Sequence, residues 1–153
     1  MITDAAVVEV DDPGARSRIC EHVLRDLPEW FGIDTATAAY IRDVAELPTF
    51  AVSDVGFVSL KQHTPRAAEI YVMGVRRHEH RRGIGTALVA AAETYLRVRG
   101  FEYLQVKTLG PSRPNDEYAA TRAFYETCGF VPLEEIHGLW DEDNPCLVLV
   151  KRL

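Results

Sequence analysis

Apolar positions along the chain follow two patterns, and the switches between them predict the order of its elements. Short apolar runs bounded by turn residues, such as residues 5–10, predict strands. Apolar residues spaced three and four apart, such as Ile19, Val23 and Leu27, predict amphipathic helices. The predicted strands cover residues 5–10, 49–52, 56–63, 68–75, 101–109, 130–136 and 146–151. The first predicted helix ends before Pro28, the second covers about residues 35–47, the third runs from Ile84 to Gly100 and the fourth covers residues 117–127.

This order of strands and helices predicts a mixed α/β fold built in layers. The run from Ala68 to Val75, "AEIYVMGV", is almost continuously apolar, as in a strand that is covered on both faces. Between the first two helices, Trp30 and Phe31 form an aromatic pair that we expect to be exposed. The next question is what such a fold binds.

Composition narrows the class of protein. With 153 residues, 47% hydrophobic and 26% charged, the chain is expected to form a single domain, residues 1–153, with its own core. Its net charge of −6 disfavours nucleic acid, and no apolar run is long enough to span a membrane. The acidic N-terminal stretch lacks the basic residues of a signal peptide, so we expect a cytoplasmic protein. We expect the widely spaced Cys20, Cys128 and Cys146 to be reduced core residues.

The stretch His80 to Leu88, "HRRGIGTAL", predicts an anion-binding turn between a buried strand and a helix. A helix N-terminus carries free backbone N–H groups and the positive end of the helix dipole. Arg81 and Arg82 add positive charge, and Gly83 and Gly85 leave room for close approach to the backbone. A phosphate group fits this chemistry.

Spacing excludes two nucleotide-binding motifs here. A dinucleotide fingerprint would need a glycine where the chain has Leu88, and a P-loop would need a Gly-Lys-Ser/Thr sequence. A tight strand-to-helix turn with a solvated basic rim remains the alternative at this point.

Two motifs together resemble the GNAT superfamily of N-acetyltransferases. Residues 80–85, "HRRGIG", are similar to its acetyl-CoA motif Q/R-x-x-G-x-G/A, and residues 123–130, "AFYETCGF", are similar to its penultimate helix. The order of elements matches the family over nearly the whole chain. The resemblance implies a central, mostly antiparallel sheet with one splayed parallel strand pair, flanked by helices.

The resemblance also implies acetyl-CoA as co-substrate, with no metal. Backbone amides of the turn would hold the pyrophosphate, and the end of the preceding strand would bind the pantetheine arm. Gly74 is consistent with a bulge or a close backbone approach there. His80 departs from the usual Gln or Arg. The implied cofactor-binding residues are Met73, Gly74, Val75, Arg81, Arg82, Gly83, Ile84, Gly85, Thr86 and Tyr118.

Acetyl transfer to an amine needs a base, an acid and a group that polarises the carbonyl. By the resemblance, Glu69 would be the base and Tyr125 the acid that protonates the thiolate of coenzyme A, while a backbone N–H near Val75 would polarise the carbonyl. Burial in an apolar strand can raise a carboxyl pKa and suit it to this role. His63 is the reserve base, and direct attack needs no nucleophilic Cys128.

The penultimate helix departs from the family pattern. Tyr118 and Thr121 stand where the family often has Asn and Ala, and Asn115 lies too early to replace that asparagine. We therefore expect Asn115 and Asp116 to cap the helix. Tyr118 shares a helical face with Tyr125 and is expected to line the cofactor or substrate channel.

Other features carry weaker hypotheses. His78 and His80 lack the spacing of a zinc motif, and the acidic loop of residues 139–145 is typical of a solvated turn. The acceptor stays open among small amines, antibiotics, amino acids and protein amines, and a homodimer is compatible with the superfamily. The alternative to an enzyme is a non-catalytic acyl-CoA-binding module. Substrate-side candidates are Trp30, Phe31, Trp140 and Asp141.

Overall fold

The computed structural model describes residues 6–153, and within them the predicted order of elements is confirmed. The second predicted helix is shorter than expected and continues as a 3₁₀ turn at Val44–Glu46. Ala5, at the start of the first predicted strand, lies outside the described residues. The strands are β1 Val8–Val10, β2 Thr49–Val52, β3 Gly56–Gln62, β4 Ala67–Val75, β5 Tyr103–Leu109, β6 Val131–Asp141 and β7 Asn144–Arg152. The α-helices are α1 Pro13–Arg25, α2 Asp34–Asp43, α3 Ile84–Val98 and α4 Asp116–Thr127.

The strands form one sheet in the order β1-β2-β3-β4-β5-β7-β6. Neighbouring strands are antiparallel except for β4 and β5, which are parallel. A parallel pair needs a crossover connection, and α3 supplies it. The expected fold, a mostly antiparallel sheet with one parallel pair and flanking helices, is therefore confirmed.

Two apolar cores cover the two faces of this sheet. On the face that we call the α3 face, Leu88 and Leu96 of α3 pack against the strands together with Tyr125 of α4. On the opposite face, which we call the α1 face, Val23 and Leu24 of α1 pack against the strands, and part of α2 covers them. Helices therefore cover both faces of β4.

A β-bulge in β4 changes which core its side chains enter. The pairing of β3 with β4 joins Ser59 to Val72 and then Leu60 to Ile70, so Tyr71 is an extra residue on β4. Ile70 packs on the α3 face, whereas Val72 packs on the α1 face. Without the bulge both would face the same side, because side chains alternate along a strand.

The bulge in β4 is therefore at Tyr71 rather than at Gly74, and the group that approaches Gly74 closely is helix α1. Gly74 pairs regularly with Phe57 of β3. A Cβ at Gly74 would lie 3.1 Å from Val23 Cγ1 and 3.2 Å from Leu27 Cδ1. The approaching group in this structure is α1, and the missing side chain lets that helix pack close to the strand.

Strands β4 and β5 separate beyond the bulge. Their parallel register ends at Ile70 and Val106. Nevertheless, β4 continues to Val75 and β5 to Leu109. We call the gap between these two diverging ends the splay cleft.

Backbone groups of β4 face this cleft. Arg76, just after β4, donates its N–H to the carbonyl of Val55, the residue before β3, at 2.8 Å, so its backbone groups point towards β3. Successive residues of a strand point their N–H and C=O groups to opposite edges. The backbone groups of Val75 and Met73 therefore face away from β3. The cleft is thus lined on one side by backbone groups that have no strand partner.

Candidate functional site

α3 follows β4 after a connection, residues 76–83, that contains a 3₁₀ turn at Arg77–Glu79, and the N-terminus of the helix is open. Gly83 is the N-cap residue, with a left-handed φ of 82°, and Arg81 also has a positive φ of 65°. No side chain accepts a hydrogen bond from the first amides of this 15-residue helix. Free amides and the positive end of the helix dipole therefore meet at the predicted turn, an arrangement that favours an anion.

The two arginines of the turn are exposed, as predicted for a basic rim. Arg82 forms an ion pair with Glu79 at 3.4 Å. Packing explains the glycine at position 85, which the sequence alone did not reveal. A Cβ there would lie 3.0 Å from the ring of Phe124 in α4. The absence of a side chain at Gly85 thus lets α3 and α4 approach each other.

His80, which departs from the family motif, is bonded to the end of β4. Its Nε2 lies 2.6 Å from the Val75 carbonyl oxygen, which faces the cleft. The His80 ring also meets the Trp30 ring edge to face, with 5.9 Å between centroids. His80 therefore stabilises the connection between β4 and the turn with a side chain shorter than Gln or Arg.

Glu69 lies on β4 just before the splay and is only 6% exposed. Its Oε1 contacts His63 Nε2 at 2.6 Å and accepts a hydrogen bond from Lys107 Nζ at 3.3 Å. Among residues 6–153 its second oxygen, Oε2, has no such partner, yet it is not sealed from solvent. The carboxylate is thus held in place on one oxygen and available on the other.

The structure brings the two candidate bases into one cluster and adds a residue that the sequence analysis missed. His63 and Glu69 are hydrogen-bonded neighbours rather than separate alternatives. Lys107 comes from β5, where Gln105 pairs with Glu69, so the lysine lies two residues farther towards the cleft. A charged residue within the apolar run of β5 was the signal that could have identified it.

Tyr125 projects from α4 into the α3-face core and is 6% exposed. Its ring packs against Phe124 and Phe130, with centroids 5.4 and 5.7 Å away. Burial raises the pKa of Tyr125 above its ordinary value, and neighbouring Cys128, Tyr118 and Tyr40 raise it further. Tyr125 is therefore a neutral phenol at neutral pH, able to donate a proton.

Tyr118 is positioned by the helix cap that the sequence predicted. Asn115 is the N-cap residue of α4, and its Oδ1 accepts a hydrogen bond from the Tyr118 backbone N–H at 3.0 Å. The Tyr118 hydroxyl donates to the Trp30 carbonyl at 2.7 Å. Burial raises the pKa of Tyr118 to about 12. This side chain thus joins α4 to the connection between α1 and α2.

The expectation that Trp30 and Phe31 are exposed is wrong. Both are half-buried, because that connection packs against α4 and α2. Trp30 Nε1 donates to Thr121 Oγ1 at 3.0 Å, and the Phe31 ring meets the Tyr40 ring edge to face. Sequence periodicity could not show this, because the residues that cover the pair are distant in the chain.

The acidic hairpin between β6 and β7 has local hydrogen bonds, as expected of a solvated turn. Asp141 accepts bonds from the Asn144 side chain and the Asp143 backbone, each at 2.9 Å. Trp140 beside it is 46% exposed. Nothing in these contacts connects the hairpin to Glu69.

All three cysteines are free. Cys20 and Cys146 are buried, as predicted, and burial raises the pKa of the Cys20 thiol to about 12. Cys128 is only half-buried, so it is not the core residue that was expected. Across residues 6–153, no three His, Cys, Asp or Glu side chains come together as a metal site would require. No helix in the same range is long and apolar enough to cross a membrane.

Solved structures share this fold over nearly the full length of the chain. A GNAT-family protein from Desulfovibrio desulfuricans has a TM-score of 0.79 at 17% identity and covers 95% of this chain and 97% of its own. An aminoglycoside 6'-N-acetyltransferase in complex with coenzyme A has a TM-score of 0.74 at 20% identity, covering 99% and 97%. The aminoglycoside 6'-N-acetyltransferase of Enterococcus faecium has a TM-score of 0.71 at 22% identity, with the same coverage.

At these identities the likeness establishes the fold, and the family follows from the sequence itself. No curated protein matches the chain. A family model does match it, over residues 16–130, which include β4, the turn before α3, and helices α3 and α4. The chain therefore belongs to the acetyltransferase (GNAT) family.

Proposed function

We propose that this protein transfers the acetyl group of acetyl-CoA to a primary amine by direct attack within a ternary complex. The observation that carries the proposal is the splay cleft, with an open helix N-terminus at its rim and a carboxylate with one available oxygen beside it. Membership of the GNAT family supports the acyl-transfer chemistry. The relatives named above, which acetylate aminoglycosides, support an amine as acceptor.

The residues present fit acetyl-CoA, which would supply the acetyl thioester. The amides from Gly83 to Thr86 and the charges of Arg81 and Arg82 would hold the pyrophosphate. Backbone groups of Met73, which face the cleft, would bind the pantetheine arm as a strand would. Because His80 already bonds the Val75 carbonyl, Val75 has only its N–H left, and that N–H remains for the acetyl carbonyl.

Glu69 is the proposed base because its Oε2 has no hydrogen-bond partner among residues 6–153 and the residue lies on β4 just before the splay. It takes a proton from the amine directly or through water, and the amine nitrogen then forms a bond to the acetyl carbon while the carbon–sulfur bond breaks. Lys107 and His63 hold the other oxygen and so fix the orientation of the carboxylate. The Val75 N–H polarises the carbonyl during the attack.

Tyr125 is the proposed acid that returns a proton to the departing sulfur. Its phenol is protonated at neutral pH, as this role requires. Tyr118, which shares a helical face with Tyr125, would line the cleft beside it. In this scheme one protein group acts on each reacting atom of the amine and the thioester, and Cys128 takes no part.

An amine panel with acetyl-CoA tests the proposal by release of free thiol. We expect at least one amine to stimulate release by the wild type, and Glu69→Gln to lower kcat/KM about 100-fold. Calorimetry should give unchanged coenzyme A affinity for that variant, since its turn is intact. If coenzyme A binds but no amine stimulates thiol release, the protein is instead a non-catalytic acyl-CoA-binding module.

A further inference from the structure

Tyr40, which no sequence motif singles out, lies on the α1 face beside the proposed base. It belongs to α2, and its ring meets the Tyr71 ring edge to face with centroids 5.4 Å apart. Tyr71 is the bulge residue of β4, two positions after Glu69, and packs in the same core. Phe31 contacts the other side of Tyr40, with centroids 6.1 Å apart. Three aromatic rings thus line this approach to the cleft.

The Tyr40 hydroxyl has no hydrogen-bond partner among residues 6–153, although its ring is half-buried. It is also not sealed from solvent. By contrast, the Tyr71 hydroxyl is occupied, since it donates to Asp43 Oδ2 at 2.6 Å. Of these two tyrosines, Tyr40 is the one with a hydroxyl available to a ligand.

Tyr40 and Glu69 lie on the same face of the sheet. Glu69 stands between Ala68 and Ile70, which pack in the α3-face core, so its side chain is on the α1 face. Tyr40 packs in the α1-face core. Burial and then the Glu69 carboxylate raise the pKa of Tyr40, which keeps it a neutral phenol.

The carboxylates around this aromatic lining are paired, and a further cation lies over the Tyr71 ring, where Lys61 Nζ is 5.6 Å from the ring centroid. Glu69 is paired with Lys107 and His63, and Asp43 with the Tyr71 hydroxyl and Arg42. A polycationic acceptor would find no unpaired carboxylate among these residues for its additional charges. Aromatic rings with one available hydroxyl fit instead a single amine on an apolar group.

We propose that the Tyr40 hydroxyl binds the acceptor amine and holds it beside Glu69, and that the acceptor is a primary amine on an aromatic or apolar skeleton. This inference rests on the function proposed above. It assigns the aromatic rings of Phe31, Tyr40 and Tyr71 to the wall that holds the apolar part of the acceptor.

Tyr40→Phe tests the residue, because it removes the hydroxyl and keeps the ring. We expect kcat/KM for the amine to fall about tenfold, the value of one hydrogen bond to the substrate, and KM for acetyl-CoA to stay unchanged. Calorimetry with coenzyme A bound should show weaker amine binding to the variant. Tyr103→Phe is the matched control, since Tyr103 is exposed on β5, and it should behave as wild type.

Competing amines test the substrate class. We expect kcat/KM for 2-phenylethylamine to exceed that for spermidine and kanamycin by at least tenfold. Equal kinetics and amine binding for Tyr40→Phe and wild type would overturn the role of Tyr40, and a preference for the polycations would overturn the class. Failure of the wild type to acetylate any amine would instead overturn the proposed function, and this inference with it.

Discussion

At the scale of single residues, the main finding is that Glu69 is part of a cluster. Its Oε1 is held by His63 of the β3–β4 connection and by Lys107 of β5. Two of these side chains were candidates from the sequence. Their contact with each other and with Lys107 depends on the register of three strands, which no local pattern encodes.

Tyr125→Phe is predicted to lower kcat about tenfold or more, because only the proposed proton donor is removed. The ring stays in the α3-face core against Phe124 and Phe130. The affinity for coenzyme A, measured by calorimetry, should therefore remain near that of the wild type. Stopped-flow or steady-state thiol release with an accepted amine gives the rate. Unchanged turnover would reject Tyr125 as the acid and leave it a packing residue.

At the scale of elements, the turn before α3 combines a left-handed Gly83 with an uncapped helix start. The same helix ends at Gly100, which is also left-handed, with φ of 84°. Two glycines with the same backbone conformation thus border one helix, but only Gly83 lies at the proposed anion site. Comparing substitutions at the two glycines therefore separates the cost of backbone strain from an effect on anion binding.

Gly83→Ala and Gly100→Ala are both predicted to lower the free energy of unfolding by about 1 kcal/mol, because a Cβ is disfavoured in this conformation. A Cβ at Gly100 meets nothing within 4 Å, so its cost is conformational only. Only Gly83→Ala should weaken coenzyme A binding in calorimetry, since it displaces the backbone amides at the start of α3 that are proposed to hold the pyrophosphate. Equal affinity of both variants for coenzyme A would contradict the assignment of this turn.

Across the fold as a whole, the sheet separates two apolar cores. For four tyrosines, burial is the main reason that the pKa of each is raised: Tyr40, Tyr71, Tyr118 and Tyr125. Their common environment makes the stability of the molecule sensitive to alkaline pH.

Stability is predicted to fall as the pH rises above about 10. In the unfolded chain a tyrosine ionises near pH 10, whereas the buried phenols of the folded protein keep their protons to higher pH. The unfolded state then binds fewer protons, so the free energy of unfolding decreases with pH. Urea midpoints between pH 8 and 11 measure this effect. Tyr125→Phe should make the decline shallower, and the same slope in variant and wild type would contradict the argument.

Local patterns in the chain predicted the order of the elements, the glycine turn at the start of α3 and the family. Periodicity and turn residues are local properties, and backbone amides at a helix start need only Gly83 and its neighbours. The helix cap at Asn115 was predicted for the same reason and is confirmed. The two motifs, at residues 80–85 and 123–130, are contiguous in the chain and could be recognised without a structure.

Only the tertiary structure decided how the site is assembled. The bulge is at Tyr71 rather than Gly74 because β3 and β4 pair out of step there, and Gly74 is needed for the approach of α1. Trp30 is covered by α4, and Tyr40 of α2 packs against Tyr71 of β4. These contacts join segments far apart in the chain, and their formation depends on strand register and helix packing, which the sequence encodes only through the whole fold.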